Sequence, residues 1–175
     1  SALSQAREIL QAAGAKISDV SLPDECLDAR SIGLRIQHHE ARHSFAPEIS
    51  LSPDLISPIL RDVIESGYEI DTDSYEEAKA QAIRARAHIG PLFGQFDAVL
   101  TLSAPGEAPV GLETTGSPIF NHIWTLLHLP CINLPGLTGP AGMPVGVQLV
   151  CAHGDDAKLL AIAKWAERQL RWATK

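Results

Sequence analysis

Apolar residues recur at helical spacing near both ends of the chain. Residues 2–13 present one apolar face and are followed by Gly14, which suits the left-handed residue that ends many helices. Residues 155–171 present another such face. Asp155 and Asp156 stand at its start, where the helix dipole stabilises negative charge. The pattern therefore predicts a first and a last helix.

The interior of the chain contains further helical patterns. Residues 25–45 have apolar positions on two faces, which is typical of a helix that is covered on both sides. A short helix is predicted to end near Gly67, and Thr72 or Asp73 is placed to cap a longer helix before Pro91. The apolar stripe of that longer helix consists of Tyr75, Ala78, Ala82, Ala85 and Ile89.

Four stretches have the character of strands. Residues 15–23 alternate apolar and polar positions, and residues 96–105 indicate a buried strand that runs into a loop. Residues 130–136 and 143–151 are apolar runs bounded by turn residues. The glycine-rich stretch between those two runs lacks the context of a phosphate loop and predicts a hairpin connection. Strands that alternate with helices indicate an α/β layer structure.

Composition limits the kinds of partner. A chain of 175 residues with 45% apolar and 20% charged residues is predicted to form one globular domain. The net charge of -7 and the absence of a basic stripe argue against a nucleic-acid partner. The apolar runs are too short and too interrupted to cross a bilayer, and no charged leader precedes one, so no membrane partner is expected. Three widely spaced cysteines without a C-x-x-C pair predict buried, reduced thiols and a cytoplasmic location.

The sharpest local motif is HEARH, residues 39–43. On a helix, His39 and His43 lie on one face, where both could bind zinc while Glu40 acts as a general base. Arg42 stands where zinc peptidases usually have an apolar residue, and no third ligand follows. A polar helix near the surface is therefore the favoured interpretation, and a zinc peptidase is the alternative.

Serine chemistry has weak support in this sequence. A serine nucleophile needs an activating base and donors for the oxyanion, and no G-x-S-x-G elbow occurs. Ser103 and Ser117 stand in Pro-flanked loops, where serine commonly forms turns and helix caps. Ser117 followed by Pro118 predicts an N-cap with Pro at the first helical position.

Polar and amphipathic side chains mark the start of the helical segment that follows this loop. Asn121, His122 and Trp124 lie at the mouth of a buried stretch, where a pocket wall is expected. Packing in the core is the default interpretation for Trp124.

Several stretches, taken in order, resemble the later part of amidase-signature enzymes. AREILQAAGAKISDVSLP resembles the helix and strand that follow the family's catalytic segment, and YEEAKAQAIRAR with FDAVLTLSAPGEAP resembles a later helix and strand. The most specific matches are TTGSPIFNHIWTLLHLPCINLP and GMPVGVQLVCAHGDDAKLLAIAKWAE, which resemble the closing region. The resemblance runs nearly from end to end.

The resemblance implies an α/β fold that is part of an αβα sandwich, in which helices flank a mixed β-sheet. Family members hydrolyse amides with a Ser, cis-Ser, Lys triad, and no position of this sequence matches it, so no catalytic residue is carried over. Residues 1–175 are expected to be a single domain, a C-terminal portion that lacks the catalytic N-terminal portion and is inactive by itself. No cofactor and no metal are implied.

The resemblance also implies a cleft wall and partners. The expected partners are the N-terminal portion of the same protein and, in the complete enzyme, a small-molecule amide; an exposed sheet edge also favours self-association. A stand-alone binding module is a further alternative. This sequence has His128 where the family usually has Gly. The residues expected to line the substrate cleft are Ser103, Ala104, Thr115, Gly116, Ser117, Asn121 and Trp124.

Overall fold

The computed structural model describes residues 1–173, and the side chains of residues 1–170. Two compact units make up the chain: residues 1–22 together with 89–175, and residues 23–88. The single domain expected from the sequence stays a prediction. The helices and strands are α1 (Ala2–Ala12), α2 (Ala29–Ser44), α3 (Ala46–Leu51), α4 (Pro58–Tyr68), α5 (Thr72–Phe93), β1 (Val99–Thr101), α6 (His122–Leu126), β2 (Cys131–Thr138), β3 (Pro144–Val150) and α7 (Asp156–Ala173).

The first unit contains a three-stranded antiparallel sheet with the order β1-β3-β2. The predicted hairpin is confirmed, since β2 and β3 are joined by a tight turn in which Gly139 N–H donates to Met143 O at 2.9 Å. The predicted α/β class is confirmed as well. In the described residues the sheet is antiparallel throughout.

Helices α1 and α7 cover one face of this sheet and form the main core with it. The apolar stripes predicted for the first and last helices provide the helix side of that core. The buried residues of the cluster are Ala6, Leu10, Leu134, Leu137, Val147, Leu149, Cys151, Leu159, Ala163, Ala166 and Leu170.

The strand predicted over residues 15–23 is wrong, because these residues form no strand. Their alternating pattern shows that one side is half-buried, but a strand also needs a neighbour that takes up its backbone hydrogen bonds. Side chains of α1 hold the segment instead: Gln11 Nε2 donates to Ile17 O at 3.3 Å, and Arg7 pairs with Asp19 at 2.8 Å.

The second unit is helical, and α2 packs on α4 within it. Arg42 joins the two helices, since its Nη1 donates to Gly67 O at 2.9 Å and to Ile70 O at 3.1 Å. These carbonyls lie at the end of α4, where helices leave acceptors without intrahelical partners. The helix predicted over residues 25–45 is confirmed, although α2 begins at Ala29 after a 3-10 turn at Asp24–Cys26.

The predicted long helix with an alanine stripe is α5. Ala78, Ala82 and Ala85 are at most 1% exposed, as the stripe predicts. The cap prediction was wrong by one residue, because Asp71 Oδ1 accepts from Ser74 N–H at 2.7 Å. The helix also continues through Pro91 to Phe93. Among the described residues, no helix combines the length and the apolar character needed to cross a membrane.

The turn after α6 contains His128 in a left-handed conformation, with φ of 56°. Leu129 N–H donates to Trp124 O at 3.0 Å and His128 N–H to Thr125 O at 3.2 Å. These two bonds form the Schellman motif, in which the left-handed position is usually Gly. The Gly that amidase-signature enzymes usually have at the corresponding position would suit this backbone conformation.

We expect His128→Gly to raise the free energy of unfolding by about 0.5–1 kcal/mol, because a side chain in the left-handed region costs about 1–2 kcal/mol and the greater freedom of unfolded Gly offsets part of that gain. Denaturant titration measures the change. His128→Ala is the matched control, since its Cβ keeps the strain. Equal stabilisation by Ala and Gly would show that the side chain, and not the backbone, is responsible.

Candidate functional site

A row of polar side chains crosses the sheet on the face away from α1 and α7. Thr101 pairs with Gln148, and Gln148 pairs with Asn133, so the three residues share one face. Val147 and Leu149 flank Gln148 in β3 and belong to the core on the opposite face. The sheet therefore has an apolar face under the helices and a polar row on the other side.

Two of the predicted site residues join this row through hydrogen bonds. Ser103 Oγ donates to Asn133 Oδ1 at 2.7 Å, and Asn121 Nδ2 donates to Ser103 O at 3.1 Å. Gln148 Nε2 donates to Asn121 Oδ1 at 3.1 Å. Ser103, Asn121, Asn133 and Gln148 thus form one network, which is called the amide network below.

Gln148 is the buried centre of the amide network. It is 6% exposed, and its Oε1 has no hydrogen-bond partner within the described residues. A buried acceptor without a partner costs about 1–3 kcal/mol, so a glutamine here has to contribute something other than packing. Fixing the orientation of Asn121 is the contribution that the geometry shows.

Sequence reasoning did not find Gln148 or Asn133. The signal that would have found Gln148 is a polar residue inside the apolar run MPVGVQLVC. For Asn133 the useful signal is its register, since it stands directly across from Gln148 in the hairpin.

The amide network does not activate Ser103 as a nucleophile. The partner of its hydroxyl is an amide oxygen, which accepts a hydrogen bond but does not take up a proton at neutral pH. The network is therefore suited to holding the backbone in place, and not to covalent catalysis.

The other predicted cleft residues lie on the connection between β1 and α6, which is called the 102–121 loop. Ala104, Thr115, Gly116 and Ser117 are exposed on it. The structure brings Ser103 and Asn121 together at the two ends of this loop and leaves these four residues apart from the amide network. Their role in lining a cleft stays a prediction.

The predicted N-cap at Ser117 is wrong. Helix α6 begins at His122, and Asn121 is its N-cap residue. Pro118 belongs instead to a turn in which its carbonyl accepts from Asn121 N–H at 2.9 Å. A fixed proline φ suits both a first helical position and a turn, and the local sequence does not separate the two.

Trp124 is buried, with 4% of its surface exposed, and its Nε1–H has no hydrogen-bond partner within the described residues. It also borders an open groove of about 1540 Å³ that runs along α1, β1 and α7. Burial supports the interpretation of Trp124 as a core residue.

The HEARH motif is a hydrogen-bonded cluster around Arg42. Arg42 donates from Nη2 to His39 Nε2 at 2.7 Å and from Nε to His43 Nε2 at 3.1 Å. Burial, followed by the charge of Arg42, lowers the pKa of His39 below its usual value. Tyr75 stacks on His39 with ring centres 4.0 Å apart, and its hydroxyl donates to Glu40 Oε1 at 2.9 Å.

This geometry does not support the zinc peptidase alternative. The ring nitrogens that would bind a metal accept hydrogen bonds from a guanidinium, which carries a permanent positive charge. Over the part of the chain that the structure describes, no group of three or more His, Cys, Asp or Glu side chains is placed to hold a metal ion.

The three cysteines are free thiols. Cys26 and Cys151 are buried, and Cys131 is exposed. Burial raises the pKa of the Cys26 and Cys151 thiols, which disfavours the reactive thiolate. The prediction of buried thiols is therefore confirmed for two of the three.

Two known proteins are similar to this chain over nearly its whole length. No family model matches the chain. A glutamyl-tRNA(Gln) amidotransferase subunit from Neisseria meningitidis is 26% identical over 203 residues, which cover 99% of this chain and 42% of that protein. A crystal structure of an amidase is 28% identical with a TM-score of 0.85, and it covers 96% of this chain and 41% of that chain.

A further solved structure supports the fold only, because its sequence identity is low. It is a bacterial aryl acylamidase that belongs to the amidase-signature enzymes, with 15% identity, a TM-score of 0.73, and coverage of 98% of this chain and 40% of that chain. The chain therefore spans 40% to 42% of the length of these proteins.

Proposed function

We propose that this chain is a C-terminal portion of an amidase-signature enzyme and that it forms a wall of the substrate cleft of an amide hydrolase. The Ser, cis-Ser, Lys triad of that enzyme lies in its N-terminal portion. The observation that carries the proposal is the amide network, which fixes both ends of the 102–121 loop without activating a serine.

The amide network and the loop have different parts in this wall. Gln148 and Asn133 belong to the sheet, so they provide rigid anchors for Asn121 and Ser103 at the loop ends. Thr115, Gly116 and Ser117 then stand exposed on the loop. A hydroxyl both donates and accepts hydrogen bonds, and an amide substrate needs both kinds of partner.

The N-terminal portion of the same protein is the proposed occupant of the open groove beside β1. Within the described residues β1 pairs only with β3, so its other edge is free to accept a further strand. Apolar side chains border the groove, among them Val20, Phe96 and Trp165, and Val20 and Trp165 are 43% and 39% exposed. Self-association through the same surface stays a prediction for the isolated chain.

We expect residues 1–175 alone to show no hydrolysis of amides above background, and the full-length protein to hydrolyse at least one of them. The physical reason is that nucleophilic activation needs a base, and Ser103 has an amide as its partner. The measurement is turnover on a panel of aliphatic and aryl amides and glutamine, chosen because similar proteins include an amidase and part of a glutamyl-tRNA(Gln) amidotransferase.

The controls for this experiment are serine variants of both proteins. In the full-length protein, replacing a triad serine is expected to abolish turnover on every amide, whereas Ser103→Ala and Ser117→Ala are expected to leave turnover measurable. Turnover by residues 1–175 that disappears with Ser103→Ala would contradict the proposal. A full-length reading frame without a Gly/Ser-rich triad segment would favour the binding module instead.

A further inference from the structure

The turn that joins β2 and β3 leaves two backbone N–H groups for an acceptor outside it. Gly139 N–H donates to Met143 O at 2.9 Å, and Gly142 N–H donates to Gly139 O at 3.1 Å. Pro140 has no N–H to donate. The N–H groups of Ala141 and Met143 therefore need a partner that the turn itself does not contain.

The carboxylate of Glu107 is that partner. Its Oε1 accepts from Ala141 N–H at 3.0 Å and from Met143 N–H at 3.0 Å, and its Oε2 lies 3.2 Å from Ala141 N. Hydrogen bonds to an ionised acceptor are about twice as strong as neutral ones. Glu107 is half-buried although its neighbours in sequence, Gly106 and Ala108, are exposed.

Gly139 is the residue that makes room for this carboxylate. A Cβ built on Gly139 would overlap the carboxyl group of Glu107. The backbone of Gly139 does not have a positive φ, so alanine is compatible with its conformation. The missing side chain is therefore needed for the approach of Glu107 and not for the shape of the turn.

Glu107 ties the first half of the 102–121 loop to the β2–β3 turn. In the described residues 104–120, the other hydrogen bonds are local, such as Gly106 N–H to Ala104 O and Gly116 N–H to Thr114 Oγ1. A loop of this length without regular structure needs such a tie to keep one position. Without Glu107, only the amide network would hold the loop, and only at its two ends.

We propose that Glu107 is a latch: bound by the β2–β3 turn, it holds the 102–121 loop where Thr115, Gly116 and Ser117 border the substrate cleft. This inference rests on the proposed function. Glu107 is a positioning residue, because its carboxylate accepts hydrogen bonds from backbone N–H groups and acts through the loop. The competing interpretation is that Glu107 stabilises the turn and leaves substrate binding unaffected.

The test uses the full-length protein with Glu107→Ala, Glu107→Gln and a matched control. Glu113→Gln is the control, because Glu113 is an exposed carboxylate of the same loop. Two quantities are measured: the rate of proteolytic cleavage within the loop under native conditions, and KM and kcat for an amide. We expect Glu107→Ala to raise the cleavage rate and KM roughly tenfold with kcat nearly unchanged, because charge-assisted hydrogen bonds are lost.

Glu107→Gln keeps one acceptor oxygen and is expected to fall between Glu107→Ala and the natural protein. Gly139→Ala should reproduce the effect of Glu107→Ala, because the added methyl displaces the carboxylate. In the double variant, which carries both Glu107→Ala and Gly139→Ala, the effects on the cleavage rate and on KM should not add. Glu107→Ala has already removed the carboxylate that the methyl group of Gly139→Ala displaces. Additive effects would overturn the latch.

The remaining outcomes are also decisive. Equal cleavage rates for Glu107→Ala and Glu113→Gln would show that Glu107 does not hold the loop. Faster cleavage with an unchanged KM would support the turn-stabilising interpretation and overturn the positioning role. If the full-length protein hydrolyses no amide, the proposed function fails, and the cleavage rates with the double variant still decide whether the latch exists.

Discussion

Trp124→Ala is expected to lower the free energy of unfolding by about 3–5 kcal/mol, because it removes a large side chain from a core that closes only in part around the cavity. Trp124 is 4% exposed, and Leu126, Leu127 and Leu129 next to it are buried as well. Helix α6 is only five residues long, so its own hydrogen bonds contribute little stability without these side chains. Denaturant titration followed by circular dichroism measures the loss without depending on tryptophan fluorescence.

Two variants serve as controls for Trp124. Thr125→Ala changes an exposed residue of the same helix and is expected to shift stability by no more than about 0.5 kcal/mol. Trp124→Phe keeps an aromatic ring and removes the Nε1–H that has no partner, so it is expected to lose much less than Trp124→Ala. A loss of less than 1 kcal/mol for Trp124→Ala, by rough comparison with core substitutions, would contradict its assignment to the core.

The same variant, made in the full-length protein, tests the predicted role of Trp124 in the cleft. A residue that only packs in the core leaves the ranking of amide substrates unchanged. A residue that also touches the side group of the substrate changes relative kcat/KM by about 10- to 200-fold between amides of different bulk. The stability loss and the substrate ranking are separate measurements, so a cleft role is visible on top of the packing role.

The sequence was most informative where periodicity alone determines the structure. The apolar stripes of α1, α5 and α7 predict their buried faces, because burial on a helix repeats with the helical period. The hairpin between β2 and β3 follows from turn residues between two apolar runs. The strand over residues 15–23 failed because alternation reports half-burial, whereas a strand also depends on a partner that lies far away in sequence.

The sequence predicted only part of the candidate site, because the missed residues depend on contacts that are distant in sequence. Ser103 and Asn121 were predicted because they are polar residues in a loop and at the start of a helix. Gln148 and Asn133 were missed, because their importance comes from a register between strands. Glu107 was missed because its partners are backbone N–H groups, and these have no signature in the sequence.

The zinc interpretation of HEARH also failed because of tertiary contacts. Spacing alone places His39 and His43 on one side of a helix, as the motif requires. Arg42 occupies the ring nitrogens, because its guanidinium donates hydrogen bonds to both histidines and to a carbonyl at the end of α4. The motif therefore forms a structural cluster and not a metal site, because Arg42 lies within it.

Gly67→Ala is expected to destabilise the second unit by about 1–3 kcal/mol, even though alanine is the better helix former. Gly67 lies in α4 where that helix crosses α2, and a Cβ on it would overlap the carbonyl oxygen of His38. That oxygen belongs to the backbone of α2, so it does not move aside as a side chain would. Arg42 also donates to Gly67 O, and a shift of α4 away from α2 would stretch that bond.

Gly90→Ala is the control, because Gly90 also lies inside a helix and a Cβ on it would meet no atom within 4 Å apart from its chain neighbours. We expect this variant to change the free energy of unfolding by less than about 1 kcal/mol, since the lower conformational freedom of unfolded alanine is offset by the contact of its Cβ with Pro91. Both variants add one methyl group inside a helix, so a clearly larger loss for Gly67→Ala reports the helix crossing. Unfolding of both variants is followed by circular dichroism in denaturant. A loss for Gly67→Ala no larger than that for Gly90→Ala would mean that α2 and α4 do not approach as closely as the structure shows.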